Sequence, residues 1–264
     1  MPTLLESTAF GILCGGILAL TLAGQSMDKT EIVTDRPDVT ESAIVVPRGT
    51  LQAENGITWT SNGSNNMVAT CQSLLRFGLT DNTELRLATP GYQSNVGGAS
   101  GASGFADLSI GIKQQLVPPG SGFELSVILA ASLPTRSVSQ TSHRVDPFVK
   151  LPWSHELAHG WSIGGMASLF WPTEQARRNL TWEPTFVLER EIIKPIDVFV
   201  EYAGDYSHNR TSRQIVHFGT SYRSAAKSQI DFHFGFGLSS GSPSRFFAVG
   251  YSFRLDHLWA RQAS

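Results

Sequence analysis

At 264 residues the chain can form one domain with a large core, and all-β domains of this size are common. A formal net charge of −2, with both signs interspersed, excludes a strongly basic nucleic-acid or anionic-membrane binder. Only 16% of residues are charged, against 25 glycines and 10% aromatics, a composition suited to a turn-rich β protein.

Residues 1–24 read as a signal peptide. Phe10 to Ala23 is an apolar run of signal-core length, too short for a comfortable membrane span. Thr21-Leu22-Ala23 offers small residues at a cleavage site before Gly24. The usual basic start is missing, since no Lys or Arg precedes Lys29. A buried N-terminal helix is the alternative.

Residues 25–50 form a polar, proline-punctuated stretch. Asp35, Arg36, Asp38 and Glu41 crowd four charges together, and Pro37 fixes one φ while pushing Arg36 away from helix. This is neither a good helix nor a good strand. It is expected to lie in or under the lumen of a barrel made by the residues after it. Asp35, Arg36, Pro37, Asp38, Thr40 and Glu41 are its plug or gate candidates.

Residues 51–255 read in period two. Ile230, Phe232, Phe234, Phe236 and Leu238 share one face, while Asp231, His233, Gly235 and Gly237 share the other. Phe247, Val249, Tyr251, Phe253 and Leu255 repeat the pattern. So do Val198, Val200 and Tyr202 against Asp197, Glu201 and Asp205. Val216, Phe218, Thr220 and Tyr222 against His217, Gly219 and Ser221 follow it, as do earlier runs at 51–60, 74–79, 84–87, 108–113, 123–130, 145–153, 161–170 and 180–191. These make about twelve strands, each of the length a tilted membrane strand needs.

The connections sort by length. Turns at 80–83, 117–122, 154–160, 193–195 and 224–227 are expected to be short. Loops at 61–71, 93–104, 134–144, 171–179, 207–213 and 239–244 are expected to be mostly longer. That alternation is the pattern of an outer-membrane barrel with both termini on the short-turn side. The rival is a soluble β-sandwich, which also alternates but gives no reason for loops to do so. The Gly, Ser and Ala of the polar faces, and tryptophans 59, 153, 161, 171, 182 and 259 near strand ends, favour the all-β transmembrane barrel. Residues 256–264 form a short tail.

Single charges on the polar faces then point into a confined lumen. The candidates are Glu54, Arg76, Glu84, Arg86, Lys113, Glu124, Glu183, Glu189, Asp197, Glu201, Asp205, Asp231, His233 and Arg254. Unpaired buried charges are costly, so these must pair with one another or with the plug segment. Arg36 is expected to meet the acidic set Asp197, Glu201 and Asp205.

Two motifs hint at chemistry. His155-Glu156-Leu157-Ala158-His159 matches a zinc-protease pattern, which needs a helix to place both imidazoles on one face. The strand-like runs on either side leave no room for one, so a turn and no metal are expected. Ser142-His143 and Ser207-His208-Asn209 in outer loops keep a surface hydrolase open as an alternative. No cofactor or catalytic centre is implied.

Three blocks carry a family resemblance. They are Thr34–Ser42 with Pro47-Arg48-Gly49 and Gln52-Ala53-Glu54; Leu75–Arg86; and Gly104–Lys113. Together they resemble the bacterial outer-membrane family named Putative MetA-pathway of phenol degradation, whose members are labelled transporters. The resemblance implies an outer-membrane location and passage of small aromatic or hydrophobic solutes. It also implies partners in outer-membrane lipid and the barrel insertion machinery, with no nucleic acid. A non-transporting structural barrel is a further alternative. The chain departs from such barrels at its end, where Tyr251–Leu255 is followed by nine more residues rather than closing on an aromatic.

Overall fold

A computed structural model describes residues 31–258, except 64, 97–102, 118–119, 121, 136–143 and 175–176. The signal-peptide expectation therefore lies outside the described residues, as does Trp259. The strands are β1 (Leu51–Asn62), β2 (Asn65–Gly78), β3 (Thr83–Thr89), β4 (Tyr92–Val96), β5 (Gly104–Phe105), β6 (Ser109–Val117), β7 (Phe123–Ser132) and β8 (Asp146–Glu156). They continue with β9 (Trp161–Phe170), β10 (Thr173–Glu174), β11 (Arg177–Arg178), β12 (Thr181–Ile193), β13 (Ile196–Ser207), β14 (Arg213–Ala225), β15 (Ser228–Gly237) and β16 (Arg245–Leu255).

Antiparallel neighbours run in sequence order, and β1 pairs with both β2 and β16, so the sheet closes. β3 pairs with the lower part of β2 and β4 with its upper part, so the two make one interrupted strand. β5 and β6 make another, giving a closed twelve-stranded barrel. Closure through β1 joins the first and last strands of the wall, which is what a lipid-exposed sheet requires.

The alternation decides which face looks out. Phe232 is 37% exposed and Phe234 42%, whereas Asp231 between Ile230 and Phe232 is 1%. The apolar faces thus point outward and the polar faces inward, the reverse of a sandwich. Arg76, Lys113, His217, Gln52, Glu54, Glu84 and Glu201 are among the largest fully buried side chains. Aromatic and cationic side chains meet at both rims: Arg190 lies 4.9 Å from the Trp161 ring and Arg245 lies 5.8 Å from that of Trp59.

Two of the expected long loops depart from expectation. Asn62 pairs directly with Asn65, so the long loop expected over 61–71 is a tight hairpin. Its residues extend β1 and β2 instead. A bulge accommodates them: Gly56 faces Gln72, yet Thr58 faces Ala69, so Ile57 meets two residues, Thr70 and Cys71. Cys71 takes the left-handed φ of 54°. The β3–β4 break lies at the same height, where Gly91 approaches Thr70 so closely that a Cβ would stand 1.9 Å from its carbonyl oxygen. The expected loop over 93–104 likewise holds β4 and the start of β5.

Candidate functional site

Residues 31–50 run through the barrel without joining its sheet. Their backbone groups bond to wall side chains, which is why the segment needs no strand partner. Arg76 donates to the carbonyls of Ile44 (2.7 Å) and Val33 (3.1 Å), and Lys113 to that of Ser42 (2.7 Å). Ser126 donates to the Ala43 carbonyl, and the Val46 N–H donates to Glu84 at 2.7 Å. The segment is tied to the near rim by Ile32 N–H to the Ala226 carbonyl and by Gly49 N–H to that of Gly78.

One wall is cationic. The β2–β3 register sets Arg76 directly opposite Arg86, and Glu84 opposite Lys113 across β3–β6. Like charges facing each other destabilise a sheet. Asp35 resolves this by inserting its carboxylate among three cations: Arg86 at 2.7 Å, Arg76 at 3.2 Å and Lys113 at 3.2 Å. Its own N–H donates to Glu54 at 2.8 Å. Burial alone would raise the Asp35 pKa, but the three cations outweigh it and hold the carboxyl well below the usual range. Glu54 and Glu84 complete the network through Arg76. Further along, Glu41 takes Arg86 at 2.8 Å and Lys150 at 2.6 Å.

The opposite wall, β13 to β16, holds the segment by other means. The Glu201 carboxylate accepts the Val39 and Thr40 N–H groups, both at 2.7 Å, and the Thr40 hydroxyl. His217 Nε2 lies 2.5 Å from the same carboxylate. Arg36 reaches Asp231 at 3.1 Å. Its guanidinium lies over Gly56 and Gly250, which face each other across β1–β16. A Cβ at either position would stand 2.4 Å from an Arg36 nitrogen, so only glycine leaves the groove. Pro37, cis to Arg36, turns the chain beside His233, whose ring lies 5.4 Å from that of His217. Asp38 is half-buried, and burial together with Glu189 and Glu201 pushes its carboxyl well above the usual range.

Arg36 therefore does not meet Asp197, Glu201 or Asp205, as the sequence led us to expect. Glu201 is occupied by Val39, Thr40 and His217. Asp197 pairs with Arg223 at the near rim, and Asp205 with Arg210 (2.7 Å) and Arg213 (2.6 Å) at the far rim. Glu124 accepts from Ser154, and Glu183 sits opposite Ser168. Arg254 bonds Asp256 at 2.8 Å and the Glu31 carbonyl at 3.3 Å. Lys150, Gln52, Ser126, Thr185 and Gln229 also touch the segment, and sequence reasoning did not select them as candidates. Gln52, Ser126, Thr185 and Gln229 share a strand face with Glu54, Glu124, Glu183 and Asp231, so parity was the available signal for them; Lys150 has no candidate on its strand.

The zinc-like motif spans the end of β8 and a single 3-10 turn, Ala158–Gly160, with His159 at a φ of 63°. No helix forms there. Among the described residues no group of three His, Cys, Asp or Glu is placed to hold a metal ion. Ser142 and His143 lie outside the described residues. The Ser207 hydroxyl is buried with no hydrogen-bond partner, and Asn209 donates to Asn179.

The fold recurs in solved structures. An outer membrane channel from Pseudomonas putida F1 matches at TM-score 0.65 with 13% identity, over 83% of this chain and 99% of that one. The NanC porin matches at TM-score 0.54 with 9% identity, over 78% and 100%. The KdgM porin in complex with disordered oligogalacturonate matches at TM-score 0.50 with 10% identity, over 77% and 98%. No curated protein sequence matches. The closed barrel, its apolar outside and these likenesses place the chain in the bacterial outer membrane, with the fold of channels and porins. A family model described as "Putative MetA-pathway of phenol degradation" matches residues 34–255, and the chain belongs to that family.

Proposed function

We propose that the chain is a gated outer-membrane channel for small apolar or aromatic solutes, with residues 31–50 as its plug. The observation that carries this reading is the seating of the segment across the lumen. It is bonded to the cationic wall through Asp35 and Glu41, and to the opposite wall through Arg36, Val39 and Thr40. A purely structural tether would need only one such attachment. The side-chain contacts can exchange with water or with a solute, whereas sheet pairing would be permanent. Family membership and the apolar cavity beside Glu41, lined by Leu74, Ile128 and Phe148, support this solute class. Of the hydrolase candidates, the Ser207 hydroxyl has no hydrogen-bond partner and Asn209 donates to Asn179, which lends that reading no support.

Planar-bilayer recording on purified full-length protein tests the gate. The native chain should conduct weakly, in short openings. Asp231→Asn, which removes the partner of Arg36, should lengthen the openings. Equal and negligible conductance in native protein, Asp231→Asn and a chain lacking residues 28–50 would refute a channel.

A further inference from the structure

A cavity of about 120 Å³ lies between the plug and the cationic wall. Its body is apolar, made by Leu74, Ala88, Ile128, Ala130 and Phe148. Apolar cavities of about 150 Å³ accept a single benzene ring. One edge has a different character. Arg86 and Lys150 both reach it, and the carboxylate between them is Glu41, at 2.8 and 2.6 Å. The Lys150 ammonium also stands 5.5 Å from the Phe148 ring and 5.7 Å from that of Phe170. Those two rings stack, with centroids 5.1 Å apart. Two cations on one carboxylate, beside an apolar slot with an aromatic wall, are what a small aromatic acid needs for tight, oriented binding.

Glu41 is seated less deeply than the other acidic anchor. Its side chain is 15% exposed and that of Lys150 17%, whereas Asp35 is 3% exposed. If Glu41 leaves, Arg86 keeps Asp35 and Glu84, each at 2.7 Å. The loss falls on Lys150, at the partly open edge. Glu41 can therefore be exchanged for another carboxylate without unpicking the buried network.

Resting on the channel reading, we propose that this cavity is the solute-binding site, that its ligand class is a small apolar or aromatic monocarboxylate, and that Glu41 holds the place of the ligand's carboxylate until displaced. Binding and plug release are then one event. Thr40, adjacent to Glu41, makes the contacts to Glu201 and Thr185 that close the opposite side.

Calorimetric titration of the full-length protein, folded in detergent, with benzoate, benzyl alcohol and acetate tests this. Benzoate should bind saturably, at least about tenfold tighter than either control, the value of one charge-assisted contact. Glu41→Gln removes the internal competitor and should tighten benzoate by about fivefold or more, the lower end of ordinary site–site coupling. That gain cannot arise from misfolding. Lys150→Met should weaken benzoate by about tenfold, and Ala130→Leu, which fills the slot, should abolish binding while heat-modifiable gel migration is retained. Benzyl alcohol binding as tightly as benzoate, or Glu41→Gln leaving benzoate unchanged or weaker, would overturn the proposal. Binding in detergent needs no conduction. A protein that binds as described yet passes no current refutes the channel alone, and one that conducts without preferring benzoate refutes this site alone.

Discussion

Gly250→Ala removes no charge and no hydrogen-bonding group, yet it should unseat the plug. The new Cβ would stand 2.4 Å from Arg36 Nε and 2.4 Å from Asp231 Oδ2, so both members of the ion pair must move. Asp231 is fully buried at its side chain and Arg36 is 19% exposed. A charged hydrogen bond lost in such a setting costs about 1.5–3 kcal/mol. Alanine is intrinsically better than glycine in a strand by about 0.5–1 kcal/mol. The net expectation is a loss of about 1–2 kcal/mol, read as a lower unfolding temperature on heat-modifiability gels, with more frequent channel openings. A double-mutant cycle with Arg36→Ala tests the coupling. In an Arg36→Ala background the guanidinium no longer stands over Gly250, and Asp231, freed of its partner, can turn into the space it leaves, so Gly250→Ala should become neutral or stabilising. The coupling should be at least about 1 kcal/mol, within the range for residues in contact. If Gly250→Ala costs the same in both backgrounds, the glycine serves the sheet and not the plug.

Three further outcomes are expected. Arg36→Ala alone should leave a folded, heat-modifiable barrel with altered conductance or a lower unfolding temperature; no change in either would reduce the segment to a tether. Lys113→Met should lower stability by about 3–5 kcal/mol, since it leaves Asp35 short of a buried cation and the Ser42 carbonyl without its donor; urea unfolding in lipid vesicles measures this. Asp38 and Asp256 should respond to pH with opposite signs. The Asp38 pKa is raised by burial and by Glu189 and Glu201, so its docked form is favoured when protonated and loses stability as pH rises through that raised value. Conductance should therefore fall on acidification, and Asp38→Asn should flatten the profile. Burial would raise Asp256, but Lys227 and Arg254 outweigh it and hold the carboxyl low. Its contribution is present above about pH 4 and lost as pH falls below, so Asp256→Asn should shrink the gap in unfolding temperature between pH 6 and pH 3.

The wall of this protein was legible from residue order. Strand side chains alternate faces, so Phe232 against Asp231, or Val200 against Glu201, sorted apolar from charged residues, and the alternation of loops together with the small residues of the polar faces favoured an apolar outside over a sandwich's apolar inside. Pro37 and the crowded charges around it likewise marked 31–50 as a stretch that no sheet would take. What parity cannot carry is height. Which inward residue meets which depends on the stagger between strands that are distant in sequence, and no local pattern encodes that stagger. Arg36 was therefore matched by charge to Asp197, Glu201 and Asp205, whereas closure of the ring through β1 and β16 brought Gly56, Gly250 and Asp231 around it. The same limit hid the bulge at Cys71, which turned an expected loop over 61–71 into strand. It also hid the role of Asp35, a single carboxylate whose three cationic partners come from β2, β3 and β6. Period-two alternation with its alternating loops marked a barrel with charge on its inner face; the stagger of its closed ladder chose the pairs, because only closure sets the relative heights of residues far apart in sequence.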